Sequence, residues 1–263
     1  MNFSFTKAAA VVLLLLLPFH IPAISQSDDN AKAEAVIKKA VETLGGERYL
    51  TVRTQVGRGK YSQMRDGAIV SFQNFYDVIV FPDKERTEFK GGGSRSVQVN
   101  NGDTGWIYDG EQEQIKEQTE TQIASFKRGM RVSLDNLLRG YWKGSAKLSY
   151  IGKRAATLGK RNDVVKLAYD DGLVVEFEFS ADEAVPQKAI YKRTDAEGQE
   201  IVEEDRYAQF VETGRIKAPY IIDRFTNGKH ISRINFESVE YNRSIPDSTF
   251  AKPNDVKSLK KQL

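Results

Sequence analysis

Asn227-Gly228 stands between two runs of alternating apolar and polar residues, 220–225 and 230–240. A two-residue hairpin turn of the favoured hand needs positive φ at both central positions, and Asn-Gly accepts this at little cost. The pair therefore sets an antiparallel hairpin inside 217–253. Similar pairs, Asp66-Gly67, Asp171-Gly172 and Glu197-Gly198, join other strand-like runs upstream. Period-two segments at 52–64, 69–81, 86–89, 95–99, 104–108, 148–153, 164–169, 173–180, 188–194 and 199–211 complete the pattern. About a dozen strands in meander order cannot stay flat, because accumulated twist makes a long open sheet curl or split. The expected fold is mainly β: a curved antiparallel sheet forming an unclosed half-barrel, with an N-terminal helix and a helical lid.

The helices are legible from a different period. Ala33, Val36, Ile37, Ala40, Val41 and Leu44 share one helical face, Asp28 or Asp29 can cap the start, and Gly45-Gly46 stops it. Between 112 and 142, Ile123, Phe126, Met130, Leu134, Leu137, Leu138 and Tyr141 form a helical stripe that Gly129 is expected to divide. Burying each such side chain is worth about 1.5–3 kcal/mol, so the stripe must lie on the sheet or on a ligand held between them.

Residues 1–25 read as a signal peptide. Lys7 supplies the positive start, 8–17 is an apolar run too short to span a bilayer, and Pro18 and Pro22 break it. Cleavage is expected after Ser25, with Ala23 as competitor, and export then implies a periplasmic location, with secretion as the alternative. The absence of cysteine removes disulfides, thiol catalysis and thiolate metal sites. Residues 26–253 are long enough for one large β domain, and 254–263 reads as a polar tail. Net charge is +3, or +2 without Lys7, with both signs interspersed, so no nucleic-acid footprint exists. The cluster Lys252, Lys257, Lys260 and Lys261 reads as a solvated tail.

Catalytic motifs are sparse. His20 belongs to the signal, leaving His230 alone beside a turn; a multi-His zinc site is excluded and no G-x-S-x-G elbow places a nucleophile. Gly91-Gly92-Gly93-Ser94 lacks the Lys-Ser/Thr and helix of a phosphate loop. Asp170-Asp171 sits in a tight turn. Glu203 and Asp205 share one strand face opposite Glu204, and a solvated outer face accounts for them. No cofactor, no metal and no enzymatic activity are expected. The apolar strand faces are richer. Phe72, Tyr76, Val78 and Val80 lie opposite Phe75, Ile79 and Phe81, and Val175, Phe177 and Phe179 line another strand. Tyr191, Ile222, Ile234 and Phe236 add to the pool. They form either a packed core or the wall of a cavity for an acyl chain.

Several features together resemble the LolA/LolB-like superfamily across 31–253. They are the signal segment, the helix ending in Gly-Gly, the long meander and the helical insertion. The turn Asn101-Gly102-Asp103 before Trp106-Ile107-Tyr108, and Ile245-Pro246-Asp247 before Phe250, complete the set. The resemblance implies an open β-barrel with a helical lid at 123–142, holding acyl chains on its concave face. Phe72, Tyr76, Val78, Phe126, Met130, Leu134, Leu137, Leu138, Val175, Phe177, Phe179, Tyr191, Ile222 and Phe236 would then line the site. Arg58 and Arg86 are candidates for the family carrier's gating arginine. The expected function is a periplasmic carrier or binder of lipid or lipoprotein acyl chains, resembling outer-membrane lipoprotein-sorting proteins. Its expected partners are lipid or acylated lipoprotein cargo and a membrane-protein donor or acceptor, with the chain a monomer. An RseB-like envelope sensor or protein-interaction module is the alternative, and a hydrolase using His230 has the least support.

Overall fold

The computed structural model describes residues 24–195 and 197–260. Helix α1, Ile24–Leu44, leads into a single turn, α2, Glu47–Leu50. Six strands follow: β1 Thr54–Arg65, β2 Ala68–Val80, β3 Lys84–Gly91, β4 Ser94–Asn101, β5 Thr104–Asp109 and β6 Gln114–Glu117. After α3, Glu120–Val132, and α4, Leu134–Arg139, come β7 Ala146–Ala155, β8 Arg161–Tyr169, β9 Val174–Ser180, β10 Pro186–Thr194, β11 Glu200–Thr213, β12 Ile216–Thr226 and β13 Lys229–Tyr241. A short α5, Val256–Lys260, ends the described chain. The signal segment expected at 1–25 lies outside the described residues apart from Ile24 and Ser25, which begin α1.

All thirteen described strands join one antiparallel sheet, in the order β6-β5-β4-β3-β2-β1-β13-β12-β11-β10-β9-β8-β7. Asn227 and Gly228 take φ of 48° and 75°, and Asp66 and Gly67 take 52° and 80°, the positive values that their hairpins require. The two edges, β6 and β7, are consecutive in sequence, so the α3–α4 connection must carry the chain from one edge to the other. Laid flat, twelve strand spacings would separate them by about 58 Å. Thirteen residues of α3 span only about 20 Å. Lys127 and Arg131 of α3 pair with the β4–β5 and β8–β9 turns, so the sheet is curled, while its edges β6 and β7 stay unpaired with each other.

Its two faces are covered differently. On the inner face, α1 and α4 seal the rear strands: Ala40, Leu44, Leu137, Leu138 and Trp142 pack with Leu167, Val175, Phe177, Phe179 and Tyr207 in one cluster. On the outer face of the front strands, Val56, Val78, Val99, Trp106 and Tyr108 form a second cluster closed by Phe250 and Leu259. The Trp106 indole donates to the Phe250 carbonyl at 3.0 Å. Among the described residues after 253, Val256 and Leu259 are apolar anchors in α5, whereas Lys257 faces water.

The helical insertion also departs from expectation. Residues 114–117 pair with β5 as an edge strand. The break falls at Ser133 and not at Gly129, which lies within α3. Ser133 has extended backbone, its hydroxyl donates to the Met130 carbonyl at 2.8 Å, and it accepts from the Asn136 amide at 3.1 Å. One serine closes α3 and caps α4, a stronger stop than a single glycine.

Candidate functional site

Helix α3 crosses the opening of the curled sheet. Its start is fixed by a capping box, with the Gln122 amide donating to Thr119 Oγ1 and the Thr119 amide to Gln122 Oε1. Lys127 pairs with Asp103, in the β4–β5 turn, and Arg131 pairs bidentately with Asp171, in the β8–β9 turn, at 2.7 Å per bond. The nearest strands of those turns, β4 and β9, lie eight positions apart in the sheet order, yet one turn of helix, Lys127 to Arg131, bridges them. Arg131 also lies over the Tyr169 ring. Hydrogen bonding to Arg131 holds the Asp171 carboxyl down at about 2, and Lys127 lowers that of Asp103. Of α3's own residues only Val132 is fully buried; Ile123, Phe126 and Met130 are half-buried. The helix is strapped by ion pairs more than it is packed. Neighbouring α4 differs, because Leu137 and Leu138 are core and Arg139 binds Asp135 and the Tyr49 and Val52 carbonyls.

The inner wall of the front strands carries a row of aromatic rings. Tyr61 meets Phe89 edge to face, and Phe236 contacts both Phe75 and Tyr220. Strand register places Phe75 opposite Gly59 and Phe89. A Cβ at Gly57 would stand 2.7 Å from the Phe236 ring, so glycine in β1 makes the room these aromatics occupy. This belt belongs to neither buried cluster, and Tyr61, Phe89, Tyr220 and Phe236 remain half-buried.

Next to the belt the wall turns polar. Asp77 faces inward opposite Thr87, whose hydroxyl donates to it at 2.7 Å. Burial, then the nearby Glu85 charge, hold the Asp77 carboxyl well above its ordinary range; Thr87 and Arg224 oppose this. Glu85 is raised by burial and lowered by Arg224. Asp205, across the bore, is likewise raised by burial and lies 3.7 Å from Arg224. Arg224 on β12 reaches carboxyls on β2 and β3 only because the sheet curves. Glu203 accepts from Arg193 and from Thr226, each at 2.7 Å. Glu203 and Asp205 thus face the interior; alternation gave their shared face correctly, but its side is set by the curl.

The sequence-selected residues separate into four places. Phe72 is 61% exposed near the β1–β2 turn, beside Ile69 and Val70. Tyr76 and Val78 face outward into the C-terminal cluster. Leu137, Leu138, Val175, Phe177 and Phe179 are buried in the rear core, with Leu134, Tyr191 and Ile222 packed at its margin. Phe126 and Met130 are half-buried on α3, and Phe236 alone of this set lies in the aromatic belt. Sequence reading passed over Tyr61, Phe89, Tyr220, Asp77, Glu85 and Arg224. The alternation in 69–81 offered both faces, and Gly57 and Gly59, two residues apart, were the signal for the inward one. The gating-arginine candidates face outward: Arg58 pairs with Glu240, and Arg86 binds Glu88 and the Thr249 carbonyl. His230 contacts Asp223 at 2.9 Å and the Ser232 carbonyl and stacks on Phe225. A cavity of about 390 Å³ opens elsewhere, lined by Arg48, Thr51, Thr213, Gly214, Ile216, Tyr241 and Asn242. Among the described residues no helix is long and apolar enough to cross a membrane.

This architecture is the LolA/LolB-like fold. A LolA superfamily protein from Nitrosomonas europaea superposes with a TM-score of 0.56 at 14% identity, covering 84% of this chain and 97% of that one. An outer membrane lipoprotein-sorting protein domain from Vibrio parahaemolyticus gives 0.54 at 10% identity over 83% and 97%. A DUF1329 family protein from Desulfovibrio piger gives 0.59 at 13% identity, again over 83% and 97%. No protein-family model matches the chain, and no curated protein matches it by sequence.

Proposed function

We propose that this protein is a non-enzymatic periplasmic carrier or binder of lipid or lipoprotein acyl chains, with hydrocarbon lying along the inner wall of β1–β3 and β13 beneath α3. The observation that carries the reading is the aromatic belt. It faces inward and belongs to neither buried apolar cluster, and the helix that crosses the opening, α3, is held by two exposed ion pairs. Hydrocarbon burial contributes about 0.8 kcal/mol per CH₂, and exchange needs only the strap to lift, since little packing opposes it. The likeness to a lipoprotein-sorting domain supports the same direction. A membrane-protein donor or acceptor for the cargo belongs to this proposal.

Native mass spectrometry of the purified protein, before and after solvent extraction, tests it. The expected result is co-purifying acylated mass that is lost on extraction and regained on incubation with lipid. A protein that neither carries nor regains any acylated molecule, yet is captured with a stable protein partner, would replace the carrier by an interaction module.

A further inference from the structure

We propose that the bore selects an amphiphile carrying a protonated amine, with its ammonium seated among Glu85, Asn100 and Gln118 and the Asp77 carboxyl alongside. This rests on the hydrocarbon-binding reading above and names the head group.

The row follows from register. Glu85 pairs with Asn100, and Asn100 with Gly105, so all three share the inward face with Asp77. Directly paired residues stand about 4.5–5.5 Å apart at Cβ, and diagonal neighbours about 7–8 Å. Gln118 occupies the space a side chain at Gly105 would take, its amide 2.7–2.8 Å from the position of that missing Cβ. Gln118 Nε2 donates to the Val99 carbonyl at 2.8 Å, which fixes the amide's orientation and leaves Oε1 as the open acceptor. That oxygen and Asn100 Oδ1 are buried without a hydrogen-bond partner among the described residues; the two side chains are 7% and 2% exposed. Leaving such an acceptor unmet is costly, because it gave up its bonds to water on burial.

Glu85, Asn100 Oδ1 and Gln118 Oε1 therefore stand on neighbouring strands, with Asp77 a diagonal neighbour of Glu85 whose carboxyl already accepts from Thr87. Burial raises both carboxyls and the Arg224 charge lowers both. Arg224 does not hydrogen-bond the row; it leans toward Asp205 at 3.7 Å with its side chain half-exposed. A primary ammonium offers three donors from one point. A hard metal ion would want six or more oxygens, and no group of three or more acidic, His or Cys side chains converges among the described residues. The Phe75–Phe236 belt begins two residues along β2 from Asp77, so a tail leaving the row meets aromatic faces at once.

Calorimetric titration with dodecylamine, dodecanol and dodecanoate at pH 7 tests this, because the three share one chain and differ in the head. Dodecylamine is expected to bind about tenfold tighter than dodecanol, a difference near 1.4 kcal/mol, with dodecanoate weakest. Asp77→Asn with Glu85→Gln should abolish that preference while dodecanol binding persists. Gln118→Leu, a milder change, should cut amine affinity severalfold. Equal binding of all three, or an amine preference surviving the carboxamide variant, overturns the head-group assignment but leaves hydrocarbon binding intact. Binding of none overturns both. Calcium binding that those substitutions abolish, without amine selectivity, replaces the assignment by a metal site. Preference for lysophosphatidylethanolamine over lysophosphatidylglycerol would place the amine on a lipid head group, and preference confined to dodecylamine would place it on a simple alkylamine.

Discussion

The rear and front halves of the sheet bury opposite faces. In the rear, β7–β11 turn Val175, Phe177 and Phe179 inward, and α1 with α4 fills the space above them. In the front, β1–β5 turn Val56, Val78 and Trp106 outward, and the C-terminal segment covers them. Each half thus acquires a core, but the front half acquires its core from behind. Its inner wall is released from core duty, and aromatic and carboxyl groups can face the bore there. The lesson is that one face of a sheet stabilises while the other is left for binding, and the chain assigns them by where its helices and terminus fall.

The largest effect should separate the halves by stability. Phe177→Ala removes a side chain fully buried in the rear core and should cost about 3–5 kcal/mol in denaturant unfolding; a cost under 1 kcal/mol would mean the rear interior is not packed shut. Phe250→Ala should cost about 3 kcal/mol and expose the C-terminal segment to limited proteolysis, because the ring closes the outer cluster. Unchanged proteolysis would break the claim that the front core depends on this terminus.

Asp77→Asn should act in the other direction. A carboxyl whose folded pKa exceeds its unfolded one lowers stability as pH rises above the unfolded value, because the folded state holds the extra proton. Glu85, Thr87 and Arg224 are the groups that act on this carboxyl. The variant should be more stable than the parent by about 1 kcal/mol near neutral pH, with the gain vanishing below about pH 3.8. A loss of stability at neutral pH would show that the charge is already satisfied. Asp171→Asn should have the smallest thermodynamic effect: no resolvable change in Tm, but faster amide exchange across α3. The parent helix should stay strapped as pH falls until near the Asp171 value of about 2. Unchanged exchange would mean that α3 is held by packing.

Much of this was legible in the chain. Asn227-Gly228 and Asp66-Gly67 set hairpins that form as expected, and the face shared by Ala33, Ala40, Val41 and Leu44 is the one α1 buries. The candidate site was less legible for a physical reason. Period two divides β2 into Phe72–Tyr76–Val78 and Phe75–Asp77–Ile79, but nothing local says which set looks inward. That choice is made by Phe250 and Leu259, about 170 residues further on, which claim the Tyr76–Val78 side. Alternation alone therefore assigned the front wall to its core face. The Ser133 break was hidden likewise, because one serine serving two helices at once has no periodic signature.

The central claim is that the front inner wall holds hydrocarbon. A fatty acid bearing a diazirine on its chain, photolysed on the delipidated protein and mapped by peptide mass spectrometry, tests it most directly. Labels are expected on the peptides containing Tyr61, Phe75, Phe89 and Phe236, and on α3 near Phe126 and Met130. They should be displaced by unlabelled lipid and unaffected by Phe72→Ser. Labelling confined to the exposed Ile69–Phe72 turn, or to the outer surface, would contradict it.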